Sequence, residues 1–486
     1  MKGPLILTLD IGSSSLRAMV YDATGRAVPG LDHQVSYRLD VGADGQATLD
    51  AAALLEATAS AIGLMLAKLG PRAAEIAGVA ADTLVSNILG VDDAGRAITP
   101  LYTYADTRNA YDAAALRAQH NVDAVHERTG CLIHSSYLPA RFRWLGRTRP
   151  DLLARVERWV SIGEYLYWNF LGQWRASYSV ASWTGLLNRH SLEWDTEWLS
   201  QLGLDASRLS PLGDVSEPLR GLREPWATRW SALKHVAWFP AAGDGAAANI
   251  GSGCRSAGNV ALTIGTSGAM RVVMESKLTE VPAGLWSYRV DHRRALLGGA
   301  TTEGGNVYAW LRETLHLPEP AALEKELAAM GPAAHGLVFL PFLSGERAPG
   351  WRDDAHAAIS GLSLKTTSRE IARAGLEGVA LRYALIHRLL APHLPADHEV
   401  IASGAAILAS PVWMQIMADV LGRRITASAE KEATSRGAAL LALEALGLKP
   451  SPAALGAVYE PNPAHHAHYQ SALEQQMRLY DRLLSP

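Results

Sequence analysis

Apolar and polar positions fall along this chain in blocks whose period switches between that of a strand and that of a helix. Leu5 to Leu9 and Leu16 to Tyr21 are apolar runs of strand length joined through Asp10-Ile11-Gly12-Ser13-Ser14-Ser15, which predicts a strand, a tight turn and a second strand. The unit returns more than half the chain later, where Val260 to Ile264 and Ala269 to Met274 flank the turn Thr263-Ile264-Gly265-Thr266-Ser267-Gly268. Asp50 to Leu69 is rich in alanine and leucine and stops at Gly70-Pro71, predicting a helix, while Ile76 to Ala81 and Asn87 to Val91 read as buried strands. In the second half the capping-box spacing Thr367 to Glu370 opens a helix that runs to Leu390. Ser410-Pro411 opens another, carrying Trp413, Ile416, Met417, Val420 and Leu421 at helical intervals. Strands alternating with helices predict an α/β protein.

At 486 residues the chain exceeds what one core supports. The repeated opening unit divides it into a first domain over residues 1–250 and a second over 251–486. Two related halves imply a cleft between them, the usual seat of a ligand. A net charge of −3 without a basic run gives no electrostatic footprint for nucleic acid. No uninterrupted run of 18 apolar residues suggests a membrane span, and the N-terminal apolar stretch is too short for a signal peptide. Cys131 and Cys254 stand apart with no paired spacing, so a reducing cytoplasm is expected.

Glycines and small hydroxyl residues at a strand-to-strand turn let backbone N–H groups close around an anion. Two such turns predict a polyphosphate gripped from both sides, and the clusters Gly298-Gly299, Gly304-Gly305 and Ser403-Gly404 extend the pattern. The copies differ where the first has Asp10 and the second Thr263, as expected if only the first handles a metal ion. No P-loop signature occurs, and no convincing GxGxxG stands between a strand and a helix.

Six segments, in order, resemble the FGGY carbohydrate kinases of the actin, Hsp70 and sugar-kinase superfamily. Leu7 to Asp22 is similar to the first phosphate motif, Ala105-Asp106-Thr107-Arg108 to the loop ahead of the sugar site, and Gly243-Asp244-Gly245-Ala246-Ala247 to the catalytic segment. Thr263 to Gly268 is similar to the second phosphate motif, Leu343 to Pro349 to a characteristic loop, and Ser403-Gly404-Ala405 with Ser410-Pro411-Val412-Trp413 to the adenosine motif. The resemblance implies two actin-like, ribonuclease H-like ATPase domains flanking a central cleft. It also implies transfer of the γ-phosphate of ATP, with Mg²⁺, to a hydroxyl of an open-chain sugar, sugar acid or polyol. Tyr178 to Ser182 and Thr301 to Val307 look most like gluconate-kinase-like members, so gluconate is favoured. Xylulose or another ketopentose is the alternative within the class, and an actin- or Hsp70-like nucleotide-driven binding protein is the alternative outside it. The chain departs from the family pattern at Ala405, where a second glycine is common, and at Val85-Ser86, where Met-His or Arg-Glu pairs are usual.

Asp244 precedes a helix start whose dipole favours an ionised carboxylate, and with the family match it is the expected catalytic base. Asp10 is expected to hold Mg²⁺ through water. The resemblance places Ser13, Ser14, Arg17, Gly265, Thr266 and Gly305 around the phosphates, and Gly404 with Ala405 against the adenosine. Ser86, Asn87 and Tyr137, with Asp244, are the expected acceptor-binding groups, and Asp106 with Arg108 reads as a salt bridge holding its loop. The expected partner is a small-molecule sugar or sugar acid, with a homodimer left open.

Overall fold

The computed structural model describes residues 3–275 and 280–484. The first half carries strands β1 (Leu5–Ile11), β2 (Ser15–Tyr21), β3 (Ala27–Ser36), β4 (Ile76–Thr83) and β5 (Ala237–Gly243). They form one sheet in the order β5-β4-β1-β2-β3, in which β1, β2 and β3 are antiparallel while β4 and β5 run parallel to β1. Parallel neighbours need a crossover, and between β3 and β4 the helix α1 (Ala51–Leu69) supplies it. Asp50 caps α1 by accepting from the N–H groups of Ala52 and Ala53 at 2.8 and 3.2 Å. By length and composition alone Ala51–Glu75 could cross a membrane. Here its apolar side, through Leu54, Ile62 and Met65, shares one core with Leu7, Leu16 and Val20 of the sheet.

After β5 come α2 (Asp244–Gly251), β6 (Asn259–Ile264), β7 (Gly268–Met274), β8 (Trp286–Arg289), β9 (Ala295–Thr301), α3 (Gly305–Thr314) and α4 (Ser368–Leu390). They are followed by β10 (Glu399–Ser403), α5 (Ala405–Leu408), α6 (Pro411–Leu421), β11 (Ile425–Ser428), α7 (Ala433–Ala445) and β12 (Leu455–Tyr459). The second sheet has the order β8-β9-β7-β6-β10-β11-β12. Within it, β9-β7-β6-β10-β11 repeats the first sheet, three antiparallel strands and then two parallel ones. The capping box expected at Thr367 and Glu370 is present.

Helices α2 and α7 join the halves. Their backbones approach at two glycines: a Cβ on Gly251 would lie 1.8 Å from Ala433 O, and one on Gly437 1.8 Å from Ala247 O. Although α7 lies late in the chain, its Leu440 and Leu441 pack in one core with Ile6, Met19 and Phe239 of the first sheet. Beside this junction opens a cleft of about 370 Å³, lined from both halves.

Candidate active site

The second glycine turn lines this cleft, whereas no residue of the first is among the residues that line it. In the first, Gly12 N–H donates to Ser15 O at 2.9 Å, Ser13 is half-buried and Ser14 is exposed at the tip. In the second, Gly265 N–H donates to Ser267 O at 2.9 Å, and Gly265, Thr266 and Ser267 line the cleft. Gly305 brings the start of α3 onto this turn, where a Cβ would lie 2.6 Å from Gly265 O. The N–H groups of Gly305 and Asn306 are thereby spent on the carbonyls of Gly265 and Thr266, at 2.7 and 3.0 Å, so Gly305 builds the turn rather than offering it a free donor. Gly404 has φ of +99°, and a Cβ there would lie 2.4 Å from Ile264 O, so glycine is required for β10 to turn into α5 beside the hairpin. Ala405 is exposed at the first position of α5.

Asp244 is the first residue of α2, one place inside the cap position, which Gly243 occupies. Its Oδ1 accepts from Gly245 N–H at 2.7 Å. Burial pushes its carboxyl up to about 6, with the Gly245 N–H and the Arg271 guanidinium holding it down. The helix start therefore does not keep this group at the ordinary carboxylate value, as the sequence suggested; removal from water outweighs it. Asp10 lies in register with Arg17 on one side and with Asp82 on the other, and Asp82 with Ala242 of β5, so one row across the sheet carries three ionisable groups. Asp82 is 0% exposed, and burial beside Asp10 holds its carboxyl well above the carboxylate range. Sequence reasoning missed Asp82, although a lone acid closing the apolar run Ile76 to Ala81 was the available signal.

One side of the cleft is walled by Trp183, Trp286 and Tyr288, with Trp183 stacked on Tyr288 at 3.7 Å and Trp286 on Tyr288 at 4.2 Å between centroids. Tyr137 reaches this wall by bonding Tyr288 OH, and Ser86, at φ of +52°, donates to Trp183 O at 2.6 Å. Two guanidinium groups missed by the sequence reading face the same space. Arg271 projects from β7, and Arg347 comes from the loop after Leu343; the Nε atom of each is buried with no protein acceptor. That loop is fixed on both sides of Arg347, because Glu346 accepts from Tyr480 OH at 2.7 Å and pairs with Arg382, and Ala348 N–H donates to Ala300 O at 2.9 Å. A single charge inside the apolar strand Ala269 to Met274 was the signal for Arg271.

Models of the FGGY family of carbohydrate kinases match residues 5–251 with its N-terminal domain and 260–446 with its C-terminal domain. The chain belongs to the FGGY family of carbohydrate kinases. It is 26% identical over 453 residues to a gluconokinase of Bacillus subtilis, covering 91% of this chain and 88% of that one. A gluconate kinase from Lactobacillus acidophilus superposes with a TM-score of 0.93 at 24% identity, over 99% of this chain and 98% of the other. A ligand-bound xylulose kinase from Lactobacillus acidophilus gives 0.92 at 25% identity, over 99% of both.

Two of the expected site residues of this FGGY kinase have partners within the fold. Arg17, expected to reach the terminal phosphate, pairs with Glu432 just before α7 and donates to Gln34 at 2.9 Å, a link between the halves. Asn87, expected at the acceptor, is 2% exposed and fully used by the fold: Nδ2 donates to Leu84 O at 2.6 Å and Oδ1 accepts from Ile162 N–H at 2.8 Å. It lines a separate small cavity with Leu138 and Trp159. The chain turns at Ser86, which leaves Ser86 on the cleft and sends the next side chain into the core. Asp106 is 0% exposed and bridged by both Arg108 and Arg141, the structural role read for it in the sequence.

Proposed function

We propose that this FGGY kinase transfers the γ-phosphate of ATP to a hydroxyl of an open-chain sugar acid, with gluconate favoured. The observation that carries the choice of acceptor is the convergence of Arg271 and Arg347 on the cavity that holds Asp244. Both side chains are half-buried with a buried, unpartnered Nε, and such a guanidinium matches a carboxylate, which can fill its donor fork. The aromatic wall suits the C–H faces of the carbon chain. In this reading Asp244 accepts the proton of the attacking hydroxyl. Arg271 keeps that carboxylate ionised and offsets charge on the transferring group. Thr266 and the backbone of the second hairpin hold the phosphates from one side, Ser13 and Ser14 from the other, and Gly404 with Ala405 receives the adenosine. Asp10 fits Mg²⁺, since it is a half-buried acid beside a second carboxylate that no protein donor satisfies. When bound, the ion draws negative charge away from the phosphoryl oxygens.

Residues 1–250 and 251–486 act as the two jaws, the protein works in the cytoplasm, and its partner is the small-molecule acceptor. Xylulose or another ketopentose is the second reading, favoured by the likeness to the xylulose kinase structure. An ATP-consumption panel over aldonates, ketoses, polyols and aldoses tests the assignment. The reading requires an aldonate to give the highest kcat/KM, and a ketopentose or glycerol in first place would overturn it.

A further inference from the structure

Asp82 is fully buried, and among the described residues no N–H or O–H group reaches either of its carboxylate oxygens. Its neighbour is Asp10, its register partner on the adjacent parallel strand, with which it is in side-chain contact. Two touching carboxylates in a buried site repel unless a positive group or a donor lies between them. Arg17 stands opposite Asp10 on β2 and its charge partly offsets the burial of both carboxyls, but its hydrogen bonds go to Glu432 and Gln34. The second half provides an internal comparison. There Thr263 takes the place of Asp10 and Ser403 that of Asp82, again as register partners on parallel strands. Thr263 Oγ1 and Ser403 Oγ lie 3.0 Å apart and satisfy each other. A hydroxyl pair is complete by itself, whereas in the carboxylate pair Asp10 has one long hydrogen bond, from Ser435 Oγ at 3.5 Å, and Asp82 has none.

We propose that Asp82 forms with Asp10 the carboxylate pair that holds the hydrated divalent cation of the nucleotide. Asp10, partly exposed, is the outer member and Asp82 the inner one. A small hard cation that retains most of its water needs only one or two protein carboxylates, and its bound waters supply the donors that Asp82 lacks. Among the described residues no larger cluster of acids, cysteines and histidines offers a competing site. Asp82 would then act largely through Asp10 and the bound water, as a positioning residue.

The inference rests on Asp10 as the metal anchor, so Asp10→Asn and Asp82→Asn are compared in the full-length protein. Mn²⁺ is titrated into each protein with ADP present and no acceptor, and free Mn²⁺ is read by electron paramagnetic resonance. Asp82→Asn should weaken Mn²⁺ binding about tenfold, leave metal-free ADP binding within about twofold, and shrink the rise in Tm that Mn²⁺ with ADP produces. The Tm of its metal-free form should equal or exceed that of the parent, because an unsatisfied buried carboxyl is replaced by an amide that can donate to Asp10. Asn can donate to Asp10, so if Asp82 only shares a proton with Asp10 this variant behaves as the parent. A parental Mn²⁺ titration, or a lowered metal-free Tm with parental Mn²⁺ binding, overturns the inference. If Asp10→Asn alone weakens Mn²⁺ binding, Asp82 is wrong and the reading of Asp10 stands; if neither does, both fall. Asp82→Ser, which restores the pattern of Ser403, carries the same test should the Asn variant not fold.

Discussion

Asp244 and Arg271 face one another across the two halves of the molecule, the carboxylate on the first residue of α2 and the guanidinium on β7, both opening into the same cavity. Burial raises the one and depresses the other, and each partly offsets the shift of its partner. The pair joins the first half, which carries the proposed base, to the hairpin that would hold the nucleotide's phosphates.

A pH profile follows from that pair. With its carboxyl at about 6, Asp244 loses its ability to accept a proton as pH falls through that value, so kcat should drop about tenfold per pH unit below it. Arg271 lowers this value, so Arg271→Gln should move the acid limb to higher pH. A limb near 4 in the parent, or one unmoved by the substitution, would contradict the role of the pair.

Asp244→Asn keeps the volume and the acceptor for Gly245 N–H while removing the proton acceptor. Circular dichroism and ATP binding should be unchanged and kcat lower by about 10² or more. Near-parental turnover in the purified variant would remove Asp244 from the chemistry.

Arg347→Met keeps the length of the side chain and removes its charge. Gluconate should then require about ten- to a hundredfold higher concentration, the loss of a charged hydrogen-bonded contact, while any residual activity on neutral polyols stays the same. Equal losses on both would show that Arg347 does not read a carboxylate.

Gly404→Ala places a methyl group 2.4 Å from Ile264 O at a φ of +99°, so the variant should lose about 1–3 kcal/mol of stability. Because that turn lies on the nucleotide side, ATP affinity should weaken more than acceptor affinity in whatever fraction folds. Chemical denaturation and separate titrations of the two ligands decide this.

Asp10 and Asp244 belong to the first half, Thr266 and Gly404 to the second, and the halves are joined where α2 crosses α7 at Gly251 and Gly437. The cleft should narrow when the acceptor and a non-hydrolysable ATP analogue bind together, which excludes water from the phosphoryl group. Small-angle scattering should give a smaller radius of gyration for the ternary complex than for the free protein; identical radii would leave no closure to explain.

The sequence alone determined the duplicated hairpins, the helix boundaries at Asp50 and Thr367, and the position of Asp244 at a helix start. These are local matters, settled by hydrophobic period, capping and turn chemistry within a few residues. It also carried enough ordered motifs to point to the kinase family. Tertiary structure decided which side chains meet. Asp82 becomes the neighbour of Asp10 only through parallel pairing across a crossover, and Thr263 meets Ser403 by the same route in the other sheet. Arg271 and Arg347 come from separate elements, and their shared cavity exists only once the two halves are packed. Asn87 and Arg17 show a related point: how a polar side chain near a motif is used depends on the partners the fold brings to it, here Ile162 and Glu432. Spacing along the chain carries no record of such distant partners.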